Sequence, residues 1–119
     1  MPRTVLIVDD HAGFRSSARA LLEAKGRLDV VGEAGTGAEA LEATTRLRPD
    51  IVLLDIVLPD VDGITVCEMI MRDPTFQPAV VLTSSRGPAA YGTRLTTSPA
   101  RGFIAKDDLS ASGLLALAS

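Results

Sequence analysis

The sequence contains no tryptophan, one tyrosine, one cysteine and a single histidine, and its apolar runs are short. The lone Cys67 excludes an internal disulfide, and neither it nor His11 has a partner at metal-ligand spacing along the chain. A chain that forgoes disulfides is expected in a reducing, cytoplasmic compartment. Apolar runs such as Ile51–Leu54 and Leu114–Ala118 fall far short of the ~18 residues that would suggest a bilayer span. Met1-Pro2-Arg3 leads straight into an apolar segment, without the pattern of a signal peptide. An excess of basic charge is also missing: 12 Lys and Arg against 15 Asp and Glu leave a net charge of −3. That balance disfavours phosphate backbones and anionic lipid, so neither direct nucleic-acid binding by this chain nor a membrane partner is expected.

What remains is an ordinary globular composition, 46% hydrophobic and 23% charged over 119 residues, which suits one domain spanning 1–119 with a real core. Short runs rich in Val, Ile and Leu recur at Val5–Val8, Val30–Val31, Ile51–Leu54, Ala79–Leu82 and Phe103–Ala105, each the length of a buried strand. Helical patterns lie between them. Phe14, Ala18, Leu21 and Leu22 make one apolar stripe that Gly26 can close. Glu39–Leu47 is stopped by Pro49, and Gly63–Met71 ends before Pro74. Leu109–Ala118 is the last helix, opened by Asp107, Asp108 or Ser110. Between Pro88 and Pro99, glycine, proline and threonine predict a short or mobile segment with few packed contacts. Strands alternating with helices predict a five-stranded parallel sheet covered on both faces, an α/β sandwich.

Chemistry gathers at the ends of these strands. Asp9 and Asp10 follow Val5–Val8, and Asp55 follows Ile51–Leu54. Open α/β sheets place ligand sites outside the carboxyl ends of their strands, so three carboxylates are predicted to meet on one rim. Hard oxygen donors without a nitrogen or thiol partner suit Mg²⁺. Thr83 closes the fourth strand and Lys106 the fifth, adding a hydroxyl and an ammonium that could hold a phosphoryl group, with Asp55 as a carboxylate nucleophile. Each residue alone has a plainer reading as a helix cap, loop start or surface lysine. Their order across four strand ends is the specific signal.

Taken together, Leu6-Ile7-Val8-Asp9-Asp10-His11, Asp55 through Gly63, Leu82-Thr83-Ser84-Ser85 and Gly102-Phe103-Ile104-Ala105-Lys106 resemble the receiver domain of bacterial two-component response regulators of the LuxR/NarL type. The resemblance covers nearly the whole chain. It implies a flavodoxin-like, doubly wound sheet in the order 2-1-3-4-5 with about five helices. It further implies phosphoryl transfer from a sensor histidine kinase to Asp55, with Mg²⁺ held by Asp9, Asp10, Asp55 and the Val57 carbonyl. Asp10 is then a direct ligand, and Asp9 acts mainly through water. Thr83 and Lys106 would hold the phosphoryl oxygens, and Phe103 matches the switch aromatic, expected to turn from an exposed to a buried rotamer with Thr83. Such domains are signalling acceptors rather than enzymes. They commonly dimerise through the last helix, and they reach DNA through a helix-turn-helix output domain that is absent from this chain.

Asp107 follows Lys106 where family members often carry a proline after a cis bond, and a cis Lys106-Asp107 peptide would cost about 3 kcal/mol. Three other readings compete. A haloacid-dehalogenase-type phosphatase would need a second acid where Val57 stands. A flavodoxin-like nucleotide binder would need a phosphate loop where Asp9-Asp10-His11 repels phosphate. A receiver fold working as an interaction module independently of phosphorylation would keep all of these residues.

Overall fold

The computed structural model describes residues 2–119. Five parallel strands, β1 (Arg3–Val8), β2 (Leu28–Ala34), β3 (Ile51–Asp55), β4 (Ala79–Ser84) and β5 (Gly102–Ala105), lie in the order β2-β1-β3-β4-β5. The helices are α1 (Ala12–Glu23), α2 (Gly37–Leu47), α3 (Gly63–Ile70), α4 (Thr93–Thr96) and α5 (Ala111–Ala118). This is the doubly wound, flavodoxin-like arrangement expected from the sequence.

The continuous apolar runs are explained by cover on both faces, since alternate side chains of a strand enter opposite cores. Leu6, Val8, Val52, Leu54, Val80 and Leu82 face α2 and α3. Val5, Ile7, Ile51, Leu53 and Val81 face the side of α1 and α5. The strand β2 is longer than Val30–Val31 suggested, because its exposed Asp29 and Glu33 alternate with buried Leu28 and Val30 in the manner of an edge strand. In α1, Ala18 and Leu22 are buried, but Leu21 is 45% exposed and falls off the predicted stripe.

Capping follows local chemistry. Thr36 Oγ1 accepts from Glu39 N while Glu39 Oε1 accepts from Gly35 N, which satisfies free amides before and within the first turn of α2. Asp62 caps α3 through Thr65 N, and Ser110, one of the three candidates, caps α5 through Gly113 N. Helix α5 therefore begins at Ala111 rather than Leu109, after a single 3-10 turn over Lys106–Asp108.

The segment between Pro88 and Pro99 forms a 3-10 turn at Pro88–Ala90 and the four-residue α4. It is short, as expected, but it has more anchors than its composition suggested. Tyr91 Oη lies 2.6 Å from Ser84 Oγ, Arg94 Nη2 lies 2.9 Å from Asp62 Oδ1, and the Tyr91 and Leu95 side chains pack on the core beside α3.

Two positions test this architecture. A Cβ on Gly63 would collide with the Asp55 carbonyl oxygen, so backbone passes backbone there with no room for a side chain. Gly63→Ala should lower unfolding free energy in urea by about 1–3 kcal/mol; an unchanged midpoint would refute the close approach. On the edge, Glu33 takes Arg15 Nε at 3.0 Å and Arg19 Nε at 2.9 Å. Burial works against its ionisation, yet the two guanidinium groups outweigh it and hold the carboxyl below its ordinary value. A lowered folded-state value stabilises above the unfolded one and is lost as pH falls through the folded one. Glu33→Gln should therefore be less stable than wild type near pH 7 by no more than about 1 kcal/mol, a gap that closes as the pH falls through the lowered folded-state value of Glu33.

Candidate functional site

The carboxyl ends of β1, β3, β4 and β5 bring the predicted residues to one rim. Asp55 ends β3 and pairs in register with Thr83 of β4, whose carbonyl accepts from Ile56 N at 2.9 Å. Asp9 follows β1, fully buried, its backbone N–H donating to Ala34 O at 3.0 Å. Lys106 leaves β5 with its ammonium 2.6 Å from Asp9 Oδ2 and 3.0 Å from Asp55 Oδ2. The remaining carboxylate oxygens meet backbone donors: Asp9 Oδ1 accepts from His11 N at 2.8 Å, and Asp55 Oδ1 from Val57 N at 3.0 Å. Asp10 is exposed beside this cluster, and so is Val57.

The electrostatics follow from two buried acids sharing one base. Burial pushes the Asp9 carboxyl up, but the Lys106 ammonium and the His11 N–H outweigh it, leaving Asp9 below the ordinary carboxylate value. Burial dominates at Asp55 and raises it, against the pull of the Val57 N–H and Lys106, with the Asp9 charge adding to the rise. Burial opposes the charge on Lys106, yet the two carboxylates more than compensate and raise it. The ammonium also sits 4.5 Å from the Phe14 ring centroid, a cation–π contact from α1.

Thr83 Oγ1 is buried without a hydrogen-bond partner. An unsatisfied buried hydroxyl costs on the order of 1–3 kcal/mol, and it leaves a donor free at the rim. Phe103 is half-buried against the core beside α3, so it does not stand in the exposed rotamer expected from the sequence. The Lys106-Asp107 peptide is trans, since no cis bond occurs among the described residues.

The residues fit a divalent cation. Asp9, Asp10, His11 and Asp55 each offer one ligand atom, and these atoms lie within 4.8 Å of one another. Three carboxylates suit a hard cation such as Mg²⁺. The reading of His11 as a histidine without a metal-spaced partner is corrected here: folding sets its Nδ1 3.2 Å from Asp9 Oδ1 and 3.1 Å from Asp10 Oδ1.

Sequence reasoning missed three supporting residues. Arg15 Nη1 donates to the Asp9 carbonyl, and Phe14 lies beside Lys106. Asp60 binds the start of α2, accepting from Gly37 N at 2.8 Å and Ala38 N at 3.0 Å, and so ties the loop after Asp55 to the neighbouring helix. The Asp60 carboxyl is lowered by those two amides. The only sequence signal for it was an acid in a turn.

Removing the shared base exposes its worth. Lys106→Met leaves two buried carboxylates facing each other and should cost about 3–5 kcal/mol at neutral pH. The loss should shrink under acid as the carboxyls protonate, and a pH-independent deficit in chemical denaturation would disprove the electrostatic account.

Comparison with known proteins agrees with this geometry. The sequence model of the response regulator receiver domain matches residues 5–117. The chain is 39% identical over 104 residues to the DNA-binding transcriptional activator DevR/DosR of Mycobacterium tuberculosis, covering 87% of this chain and 47% of that protein. It is 44% identical over 80 residues to a protein-glutamate methylesterase/protein-glutamine glutaminase of Alkalilimnicola ehrlichii, covering 67% and 20%. The signal receiver domain of the response regulator NarL from M. tuberculosis superposes with a TM-score of 0.86 at 34% identity, covering 98% of this chain and 96% of that one. The chain spans about half the length, or less, of these curated relatives. With a matching sequence model, fold and arrangement of strand-end residues, the chain belongs to the response regulator receiver domain family.

Proposed function

We propose that residues 1–119 act as a single phosphoacceptor receiver, in which Asp55 takes a phosphoryl group from the phosphohistidine of a sensor histidine kinase. The observation that carries this reading is Lys106 Nζ lying between the carboxylates of Asp9 and Asp55, beside a buried Thr83 hydroxyl that lacks a partner. An Asp55 carboxylate oxygen forms a bond to phosphorus as the bond from phosphorus to the imidazole nitrogen breaks, and the electron pair returns to the kinase histidine. Mg²⁺, held by Asp9, Asp10, Asp55 and the Val57 carbonyl, would neutralise charge on the phosphoryl oxygens. Thr83 donates its free hydroxyl to one of these oxygens, and the Lys106 ammonium turns from the carboxylates toward another.

Drawing Thr83 inward frees space for Phe103 to move from its half-buried position deeper into the core, carrying the change toward the exposed segment that holds α4. The output proposed is transcription in a cytoplasmic regulator, through a DNA-binding domain outside this sequence. Self-association would use α5, where Leu115 and Leu117 are only half-buried. DevR/DosR, named as a DNA-binding activator, supports this output over the methylesterase of other relatives. The chain itself serves as a signalling acceptor rather than an enzyme.

Incubation with acetyl phosphate and Mg²⁺ should add one phosphoryl mass to the wild type and none to Asp55→Asn. Equal gain in the variant would reject Asp55 as acceptor. No gain in either would favour a module that works without phosphorylation.

A further inference from the structure

Arg15 stands near the start of α1 with its side chain 20% exposed, and its guanidinium divides between two acceptors. Nη1 donates to the backbone carbonyl of Asp9, and Nε donates to Glu33 Oε1 at 3.0 Å. Among the described residues no backbone N–H meets that carbonyl, because β1 leaves its ladder one residue earlier, at Val8. Glu33 lies on β2 opposite Ile7. Its Oε2 accepts from Arg19 Nε at 2.9 Å, and Arg19 Nη1 donates in turn to Val30 O at 3.0 Å. The Arg15 fork is therefore tied to the edge of the sheet through Glu33. A guanidinium is planar and rigid, so an acid that fixes one side of it aims the other.

We propose that Arg15, aimed by Glu33, is a positioning residue for the Asp10 carboxylate. The inference rests on the reading of the rim as a Mg²⁺-dependent phosphoacceptor and goes beyond it in assigning what sets the exposed Asp10 in place. The Asp9 carbonyl that Arg15 grips belongs to the same planar peptide unit as the Asp10 N–H. Asp9 is fully buried, with its carboxylate on Lys106 and on the His11 N–H, and this fixes one end of that unit. Holding the carbonyl then fixes the rotation of the plane, and with it the direction in which the Asp10 Cα and side chain leave. Without the grip, an entering cation would itself have to order Asp10 and so lose conformational entropy on binding. Asp55 and Thr83 lie on β3 and β4 and Lys106 follows β5, and none of them shares a hydrogen bond with Arg15. The relay thus acts on cation affinity and leaves the phosphoryl step alone.

Two measurements on the full chain test this. Nuclear magnetic resonance titration with Mg²⁺ reads affinity directly, and phosphorylation by acetyl phosphate across a Mg²⁺ series separates half-saturation from the saturated rate. Arg15→Gln should weaken Mg²⁺ about tenfold, and Glu33→Gln, whose amide oxygen can still accept, about threefold, with saturated rates within about twofold of wild type. Arg15→Lys keeps the charge without the fork and should not restore the affinity. Arg19→Gln removes the other ion pair of Glu33 and should leave Mg²⁺ affinity within about twofold, which separates positioning from a general loosening of the edge. If Arg15→Gln fails to fold, Glu33→Gln decides alone. Unchanged affinity in Arg15→Gln and Glu33→Gln, full recovery in Arg15→Lys, equal weakening in Arg19→Gln, or a saturated rate that falls as far as the affinity overturns the positioning role and leaves the phosphoacceptor reading standing. A wild type that binds no Mg²⁺, or gains no phosphoryl group, overturns that reading and this inference with it.

Discussion

One ammonium shared by two buried carboxylates is the constraint on which the rest of the rim depends. Lys106 reaches Asp9 and Asp55 only because β5, β1 and β3 end at one level of the same parallel sheet. Two carboxylates without it would each seek a proton, and a buried lysine without them would shed one. The triad leaves one net negative charge from Asp9, Asp55 and Lys106, with Asp10 adding to it at the surface. Such a rim suits a cation, and a bound cation would offset the repulsion between its carboxylates and a phosphoryl group.

The strands were legible because their environment is simple. Buried on both faces, β1, β3 and β4 read as unbroken apolar runs, and the acids at their ends stand out by contrast. The edge strand β2 was only partly legible, since its outward Asp29 and Glu33 interrupt the run. Leu21 misled the helix pattern because an exposed leucine costs little and surfaces carry many of them. The residues that furnish the site were equally legible, since each stands within two residues of the end of a strand.

What the sequence hid was contact across elements. Nothing in the spacing of Asp9, Asp10 and His11 reveals that the imidazole folds back over both acids, because that depends on the backbone turn into α1. Arg15 beneath the Asp9 carbonyl and Asp60 on the first amides of α2 belong to the same category. Arg15 and Asp60 are polar side chains whose partners are backbone groups of another element or loop, and backbone groups carry no residue identity to read.

The segment between Pro88 and Pro99 shows how composition and anchoring can disagree. Glycine and proline shorten α4 and keep it at the surface, as local propensity requires. Yet its two polar anchors reach back to the site itself. Ser84, which meets Tyr91, follows directly after Thr83, and Asp62, which meets Arg94, lies in the loop that Asp55 begins. Both anchors are therefore set by the residues that bracket the carboxylate rim. A displacement of Thr83 moves the base of one anchor, and a rearrangement of the loop after Asp55 moves the base of the other. Apart from these anchors only Tyr91 and Leu95 pack on the core, so such a displacement would reach a short exposed helix more readily than a longer one buried along its length.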